Sequence, residues 1–314
     1  MKEKPFVSVI VYVHNNEHEI APFLRSIDKT LRENFEAYET VLVDDHSTDR
    51  TLEYAKEAIK DVGGSFSIIH LSRTYNVEIA MLAGADKSIG DFVFEMDSPI
   101  IDYPMELIME VYKKAINGYD IVAAVPHIHM KLGDRLFYSL VNMFSPLDLH
   151  LAPESFRIVS RRALNSILNI TEKTRYRKGL HSYIGFSKTN ITYDKVNKQS
   201  AIAKRSFPDK IALGLDIIVS FTNLPLIIAL SLSLVLFLFS IAIGGYTLYN
   251  YLFLENVADT GWPSTMAFLA IAFSGIFFIL GIISNYASKI LIEAQDRPLY
   301  NIASIETFNT NQYK

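Results

Sequence analysis

Residues 41–51 read VLVDDHSTDRT: Val41, Leu42 and Val43, the polar turn Asp44, Asp45, His46, Ser47, Thr48 and Asp49, then Arg50 and Thr51. The apolar run begins at Thr40 and is short and uninterrupted, as expected for a buried strand. Helical periodicity starts near Arg50, where Ser47 or Asp49 is placed to cap a helix. A cap accounts for Asp49 but not for the two adjacent acids before it. The unit is strand, acidic turn, helix.

Outward from this stretch the same alternation continues. Apolar runs occur at 6–13, 40–43, 66–71, 92–96 and 121–125, and helical periodicity at 17–32, 49–60, 77–87 and 104–117. That order predicts an α/β fold, a mostly parallel sheet with helices on both faces. Ligands of such sheets bind beyond the carboxyl ends of the strands. Three polar clusters fall there: His14, Asn15, Asn16 and Glu17; Asp44 to Asp49; and Asp97 with Asp102. None contains a glycine-rich phosphate cradle. Carboxylates at several strand ends suit a nucleotide held through base and ribose. Its diphosphate would be bridged by a divalent cation, magnesium or manganese, of the kind held by one or two carboxylates plus substrate phosphates.

The charges divide the chain in two. There are 30 Lys and Arg against 34 Asp and Glu, a net charge of −4. Residues 217–288 contain only Glu255 and Asp259 among them, so the rest of the chain carries almost every charge. This excludes a purely water-soluble enzyme and a carrier that is hydrophobic throughout. The mildly acidic balance gives no reason to expect nucleic acid as a partner. The sequence has no cysteine, which excludes disulfides, thiolate nucleophiles and cysteine-ligated metals. Near the N-terminus the apolar run 6–13 is too short for a signal-peptide core and reads as a strand.

The uncharged region predicts two membrane spans, about 226–249 and 264–286, since a bilayer core needs roughly 20 apolar residues of helix. Pro225 marks a break. The stretch 206–223 precedes it with Phe207, Ile211, Leu215 and Ile218 on one helical face, the pattern of an interfacial helix. A second amphipathic candidate covers 131–144. Lys195, Lys198, Lys204, Arg205 and Lys210 precede the first span, Lys289 and Arg297 follow the second, and the connecting loop has neither Lys nor Arg. The positive-inside rule then places both termini and the charged domain in the cytoplasm, in a multi-pass protein of the plasma membrane. The expected domains are 1–205, catalytic; 206–223, interfacial; 224–288, the hairpin; and 289–314, a cytoplasmic tail.

The motifs SVIVYVHNNEHEI (8–20), VLVDDHSTDRT, LSRTYNVEIAMLAGAD (71–86) and GDFVFEMDSPIIDYPMEL (90–107) resemble, in order, those of a family-two glycosyltransferase of the GT-A fold. Further matches at SFRIVSRRAL, EKTRYRKGLHSYIGF, ITYDKVNK, TGWPS, LGIISNY and DRPLYNI extend the resemblance to the polyprenyl-phosphate glycosyltransferases over nearly the whole chain. The group includes dolichyl-phosphate mannose synthase and bacterial bactoprenol glucosyltransferases. The resemblance implies an inverting transfer from a nucleotide sugar, a UDP-hexose, to a membrane polyprenyl phosphate. It implies Asp97 as the first acid of the DXD motif and the metal ligand, and Arg157 and Ser155 as further catalytic positions. His14, Asn16, Asp44, Asp45, Arg73, Glu78 and Ser98 would bind the nucleotide sugar. Arg175, Lys178, Lys198 and Lys204 would bind the lipid phosphate. It also suggests a homo-oligomer, a tetramer.

Several positions depart from the family pattern. The second DXD acid is Pro99, and Ile101 replaces a glutamine, so only Asp97 retains a ligating side chain there. Glu95, two residues back on the same strand face, and Asp102 are the possible helpers. The acid expected before Phe156 is Ser155, with Glu154 beside it. That loss matters less, because a phosphate monoester is largely dianionic at neutral pH and needs little help from a base. The altered motif supports an alternative: a degenerate member that binds nucleotide or lipid as a partner in a glycan-assembly complex without turnover. A membrane scaffold or transport component is a third reading, which predicts no nucleotide binding.

Overall fold

The computed structural model describes residues 2–127, 154–170, 177–196, 224–253 and 261–309. The first strand, β1 (Val7–Val13), carries side chains buried on both sides: Val7, Val9 and Val11 on one face, Ser8 and Ile10 on the other. Side chains alternate along a strand, so a strand with both faces buried must lie between two layers of helix.

The remaining elements supply those layers. They are α1 (Ile20–Asn34), β2 (Tyr38–Asp44), α2 (Thr51–Asp61), β3 (Ser65–Leu71), α3 (Val77–Lys87), β4 (Phe92–Met96), α4 (Glu106–Ile116) and β5 (Ile121–Pro126). After them come β6 (Phe156–Ser160), α5 (Arg161–Leu168), α6 (Arg177–Tyr183), β7 (Lys188–Tyr193), α7 (Leu224–Phe253), α8 (Trp262–Ala294) and β8 (Ile302–Asn309). One apolar layer joins Val9 and Val11 to Phe23 and Ile27 of α1, Ala58 of α2 and Ile108 of α4. The other joins Ile10, Val43 and Ile69 to Met81 of α3 and Leu164 of α5. Helix α3 lies very close to the sheet: a Cβ at Gly84 would collide with Ile10 Cγ2 and stand 2.8 Å from Val43 Cγ2. Only glycine permits that approach.

The eight strands are ordered β7-β5-β6-β4-β1-β2-β3-β8. Strand β1 pairs in parallel with β2 and β4, β2 with β3, and β5 with β7, while β6 and β8 run antiparallel to their neighbours. The sheet is mixed and mostly parallel, with the GT-A arrangement of strands and helices. The five predicted runs are β1 to β5, and the four predicted helices are α1 to α4. Strand β6 places Arg157 opposite Glu95 of β4, bringing its first residues to the carboxyl end of the parallel strands.

The chain after the second long helix differs from the sequence reading. Residues 302–309, expected in a tail, form β8 and pair with β3 from Ser65 to Leu71. Phe308 packs on the first apolar layer and Ile302 on the second. The tail is thus part of the soluble sheet.

Helices α7 and α8 form a separate unit. They contain the stretches Ile227–Tyr246, mean hydropathy 2.6, and Phe268–Ala294, mean hydropathy 2.2, each long and apolar enough to cross a membrane. Their apolar side chains are mostly exposed, unlike those of a buried core helix. The two helices pack through small and aromatic residues: a Cβ at Gly275 would meet Leu236 Cδ1, and the Phe239 and Phe268 rings lie 5.9 Å apart. Pro225 sits in the first turn of α7, where a missing N–H costs nothing. The amphipathic stretches 206–223 and 131–144 lie outside the described residues.

Candidate active site

The loops after β1, β2 and β3 are stitched together by side chains. His14 Nδ1 lies 2.8 Å from the Asp45 carbonyl, and the His14 amide donates to Asn16 Oδ1 at 2.9 Å. The Asn16 amide donates to Thr51 Oγ1, and the Thr48 amide to Asn15 Oδ1. Three residues without glycine's freedom take positive φ here, one in each loop: Asn15 at 55°, His46 at 60° and Asn76 at 90°. Strained backbone of this kind collects at functional sites. Asn76 also caps α3, its side chain accepting from the amides of Glu78 and Ile79.

The two adjacent acids play different parts. Asp45 is fully buried and accepts from Tyr12 Oη at 3.0 Å and from the amides of Tyr75 and Asn76 at 2.7 and 2.9 Å. Burial, and then Asp45, push the Tyr12 phenol well above its ordinary range. Asp45 therefore ties three loops and has no oxygen turned to solvent. Asp44 accepts from the Ser47 amide and lies 3.4 Å from His70 Nδ1. Arg73 is exposed, stacked over the Tyr75 ring at 4.7 Å.

At the end of β4 a group of charges lies largely out of water. Arg177 is 1% exposed, yet its guanidinium reaches three acids: Nη1 donates to Glu95 Oε2 at 3.0 Å, Nη2 to Asp97 Oδ1 at 2.5 Å, and Nε lies 3.4 Å from Glu78 Oε2. Arg157, also buried, lies 3.0 Å from Glu154, 3.6 Å from Glu95 and 3.9 Å from Asp97, with His181 Nδ1 2.5 Å from its Nη1. Burial opposes the charge on Arg177, and Asp97, Glu95 and Glu78 more than reverse it. Burial raises the Glu95 carboxyl above the usual range, against the pull of Arg177 and Arg157. Asp97 is the more open member, with 27% of its side chain exposed.

Asp102 is turned elsewhere. It pairs with Lys195 Nζ and accepts from Tyr193 Oη at 3.0 Å, and that phenol lies 2.5 Å from Ser155 Oγ. Ser155 and Asp102 are thus joined through Tyr193 on β7, and neither faces Asp97 in these contacts. Ser98 is half-buried beside Asp97. Arg175, Lys198, Lys204 and the side chain of Lys178 lie outside the described residues.

A magnesium or manganese ion shared with substrate phosphates still needs one or two carboxylates that no other cation engages. Among the described residues no group of three His, Asp or Glu side chains is placed to hold an ion. Pro99 offers no ligand, Asp102 is paired with Lys195, and Glu95 and Asp97 are engaged by guanidinium. This donor set does not fit a protein-held divalent cation. The residues that sequence reasoning missed are Arg177 and His181. A signal existed: Arg177, Leu180 and His181 are spaced three and four apart on one helical face, and all three are buried.

The polar loops gather at the carboxyl ends of the parallel strands, where sheets of this kind bind their ligands. The chain belongs to glycosyl transferase family 2, whose sequence profile matches residues 8–168. It is 30% identical to an uncharacterised glycosyltransferase of Bacillus subtilis over 93% of this chain and 92% of that one. It is 26% identical to the bactoprenol glucosyl transferase of Shigella phage SfII, covering 94% and 97% of the two chains. It is 25% identical to the undecaprenyl-phosphate 4-deoxy-4-formamido-L-arabinose transferase of Pseudomonas syringae, covering 97% and 93%. Among solved structures it is similar to glucosyl-3-phosphoglycerate synthase of Mycobacterium tuberculosis, determined with Mn2+, UDP-glucose and phosphoglyceric acid. That match has 18% identity, a TM-score of 0.47, and covers 68% of this chain and 77% of that one.

Proposed function

We propose that this glycosyltransferase moves a hexose from a UDP-sugar to a polyprenyl phosphate in the membrane, with inversion at the anomeric carbon. The observation that carries the reading is the pairing, in one chain, of a buried guanidinium–carboxylate cluster at the end of β4 with two apolar helices of membrane-spanning length. The names of the phage and Pseudomonas relatives support a lipid-linked acceptor. The loops bearing His14, Asn16, Asp44, Arg73, Glu78 and Ser98 hold the nucleotide sugar, and Asp45 holds those loops. Arg175, Lys178, Lys198 and Lys204 hold the lipid phosphate, which suits cations near an anionic surface. The protein assembles as a tetramer in the plasma membrane, with the catalytic domain (1–205) and the tail in the cytoplasm and 206–223 in the interface.

In the reaction an oxygen of the lipid phosphate attacks the anomeric carbon. The bond from that carbon to UDP breaks, and UDP leaves with the electron pair. The attacking phosphate is already anionic, so no general base is needed. Negative charge grows on the leaving diphosphate, where preorganised positive charge has its largest effect. No step is assigned to the expected magnesium or manganese ion, because the donor set does not fit one.

The test supplies membranes containing the protein with a panel of nucleotide sugars and undecaprenyl phosphate, and identifies lipid products by mass spectrometry. A hexosyl monophosphate lipid is expected from UDP-hexose, with none from Asp97→Ala. A second reading, a binding protein without turnover, is favoured by the engagement of Asp97 with Arg177. Nucleotide binding without any lipid product across the panel would establish it.

A further inference from the structure

The charges at the end of β4 form a closed arrangement that the transfer step does not by itself require. Arg177 gathers Glu78 from α3, Glu95 from β4 and Asp97 from the turn beyond β4. Its backbone amide donates to the same Glu78 oxygen at 3.0 Å. A dication drawing on these three acids would have to sit where the guanidinium sits. Arg157 closes the arrangement from β6, reaching Glu95 and Glu154.

The remaining nitrogens of the two guanidinium groups face carboxylates as well: Arg177 Nε lies 3.4 Å from Glu78, Arg157 Nε 3.6 Å from Glu95, and Arg157 Nη2 3.0 Å from Glu154. Guanidinium therefore occupies the places beside these acids that a metal ion would take. An arginine is charged at every physiological pH and cannot be stripped by a chelator.

We infer that Arg177, backed by Arg157, is the resident cation of this site, and that nucleotide-diphosphate binding by this chain needs no divalent metal. Asp97 is then an anchored acceptor for hydroxyl groups of the donor, not a metal ligand. Arg177 acts as a positioning residue: it fixes Asp97 and offsets the charge of the acids gathered around it. The inference rests on the reading of the strand-end loops as a nucleotide-sugar site.

Two measurements on the full-length protein in detergent test it without turnover. One is electron paramagnetic resonance of Mn2+ titrated with protein; the other is calorimetry with UDP and with GDP, in EDTA and in Mn2+. The wild type is expected to leave the free Mn2+ signal unchanged, and its nucleotide affinity is expected to differ by less than about twofold between the two buffers. Arg177→Ala, which leaves Glu78, Glu95 and Asp97 facing a vacated position, is expected to gain one bound Mn2+. Should that variant not fold, Arg177→Lys keeps the charge without the fork and is expected to weaken nucleotide binding about tenfold with no gain of Mn2+. Stoichiometric Mn2+ binding by the wild type, or nucleotide affinity raised about tenfold or more by Mn2+, would overturn the inference. If neither nucleotide binds in either buffer, the donor reading fails, and the Mn2+ titration still decides whether Arg177 fills the cation position.

Discussion

Asp45 shows how a residue can be essential to a site without facing it. Its carboxylate accepts three hydrogen bonds from inside the protein, one from Tyr12 and two from the amides that open α3. Asp45→Ala strands three buried donors. Each costs about 1–3 kcal/mol, so a loss of about 3 kcal/mol or more is expected in denaturant unfolding. Nucleotide affinity should fall with it, because the loops lose their common anchor. His70 is a histidine whose pKa is shifted. It lies 3.4 Å from Asp44 and 3.1 Å from Glu306, which in turn pairs with Lys56. The hydrogen bond with Asp44, opposed by burial and aided by Glu306, raises the His70 pKa above the ordinary value. A folded-state pKa above the unfolded one gives stability that is full below about pH 6.5 and lost as pH rises through the folded value. The thermal midpoint should therefore fall as pH rises above about 6.5, and His70→Gln should remove most of that slope. Both residues show the limit of sequence reading at this scale. The resemblance pointed to Asp97 and Arg157 because each lies within a recognisable motif. Arg177 lies between Arg175 and Lys178, and its partners are 80 and more residues away. The only local signal is its three- and four-residue spacing to Leu180 and His181.

At the scale of elements, legibility followed periodicity. Strands β1 to β5 are apolar runs between turn residues, and α1, α2 and α4 have one apolar face, so each was readable in isolation; α3 is instead buried on all sides from Ala80 to Ala85. Strand β6 reads FRIVS, with Arg157 interrupting it, and β7 reads KTNITY, half polar. Neither pattern carries its own identity, since pairing with β4 and β5 decides both. Strand β8 was hidden for another reason: it follows a 33-residue apolar helix, and its partner β3 lies more than 200 residues earlier. Its role is to cover an edge. Without it β3 would present unpaired backbone groups, a template for aggregation. Ending the chain at Tyr300 should lower the thermal midpoint and give concentration-dependent aggregates by light scattering. Glu306→Gln should leave the protein soluble, because the Lys56–Glu306 pair is about two-fifths exposed and such pairs contribute little. Aggregation of Glu306→Gln to the same extent would assign the effect to the ion pair and not to the strand.

The whole molecule is organised by the uneven distribution of its charges. Helices of 30 and 33 residues would be about 45–50 Å long, more than a bilayer core of about 30 Å requires, so their ends extend past the hydrocarbon. Lys289 and Glu293 lie at the end of α8, where such an overhang would place them in water or headgroups. Because β8 follows α8 directly and belongs to the same sheet as β1, the chain must return to the side it started from. That closure makes an even number of crossings obligatory if the helices span. On the proposed topology the loop, with neither Lys nor Arg, lies on the side away from the cytoplasm. The sequence contains no cysteine, so single introduced thiols report without background. In intact cells a membrane-impermeant maleimide should label Glu255→Cys, in the connecting loop. The same reagent should reach Lys2→Cys and Thr307→Cys only after the membrane is opened. Labelling of Lys2→Cys and Thr307→Cys in intact cells with protection of Glu255→Cys would reverse the orientation, whereas protection of all three would mean that the pair lies in the membrane without crossing it.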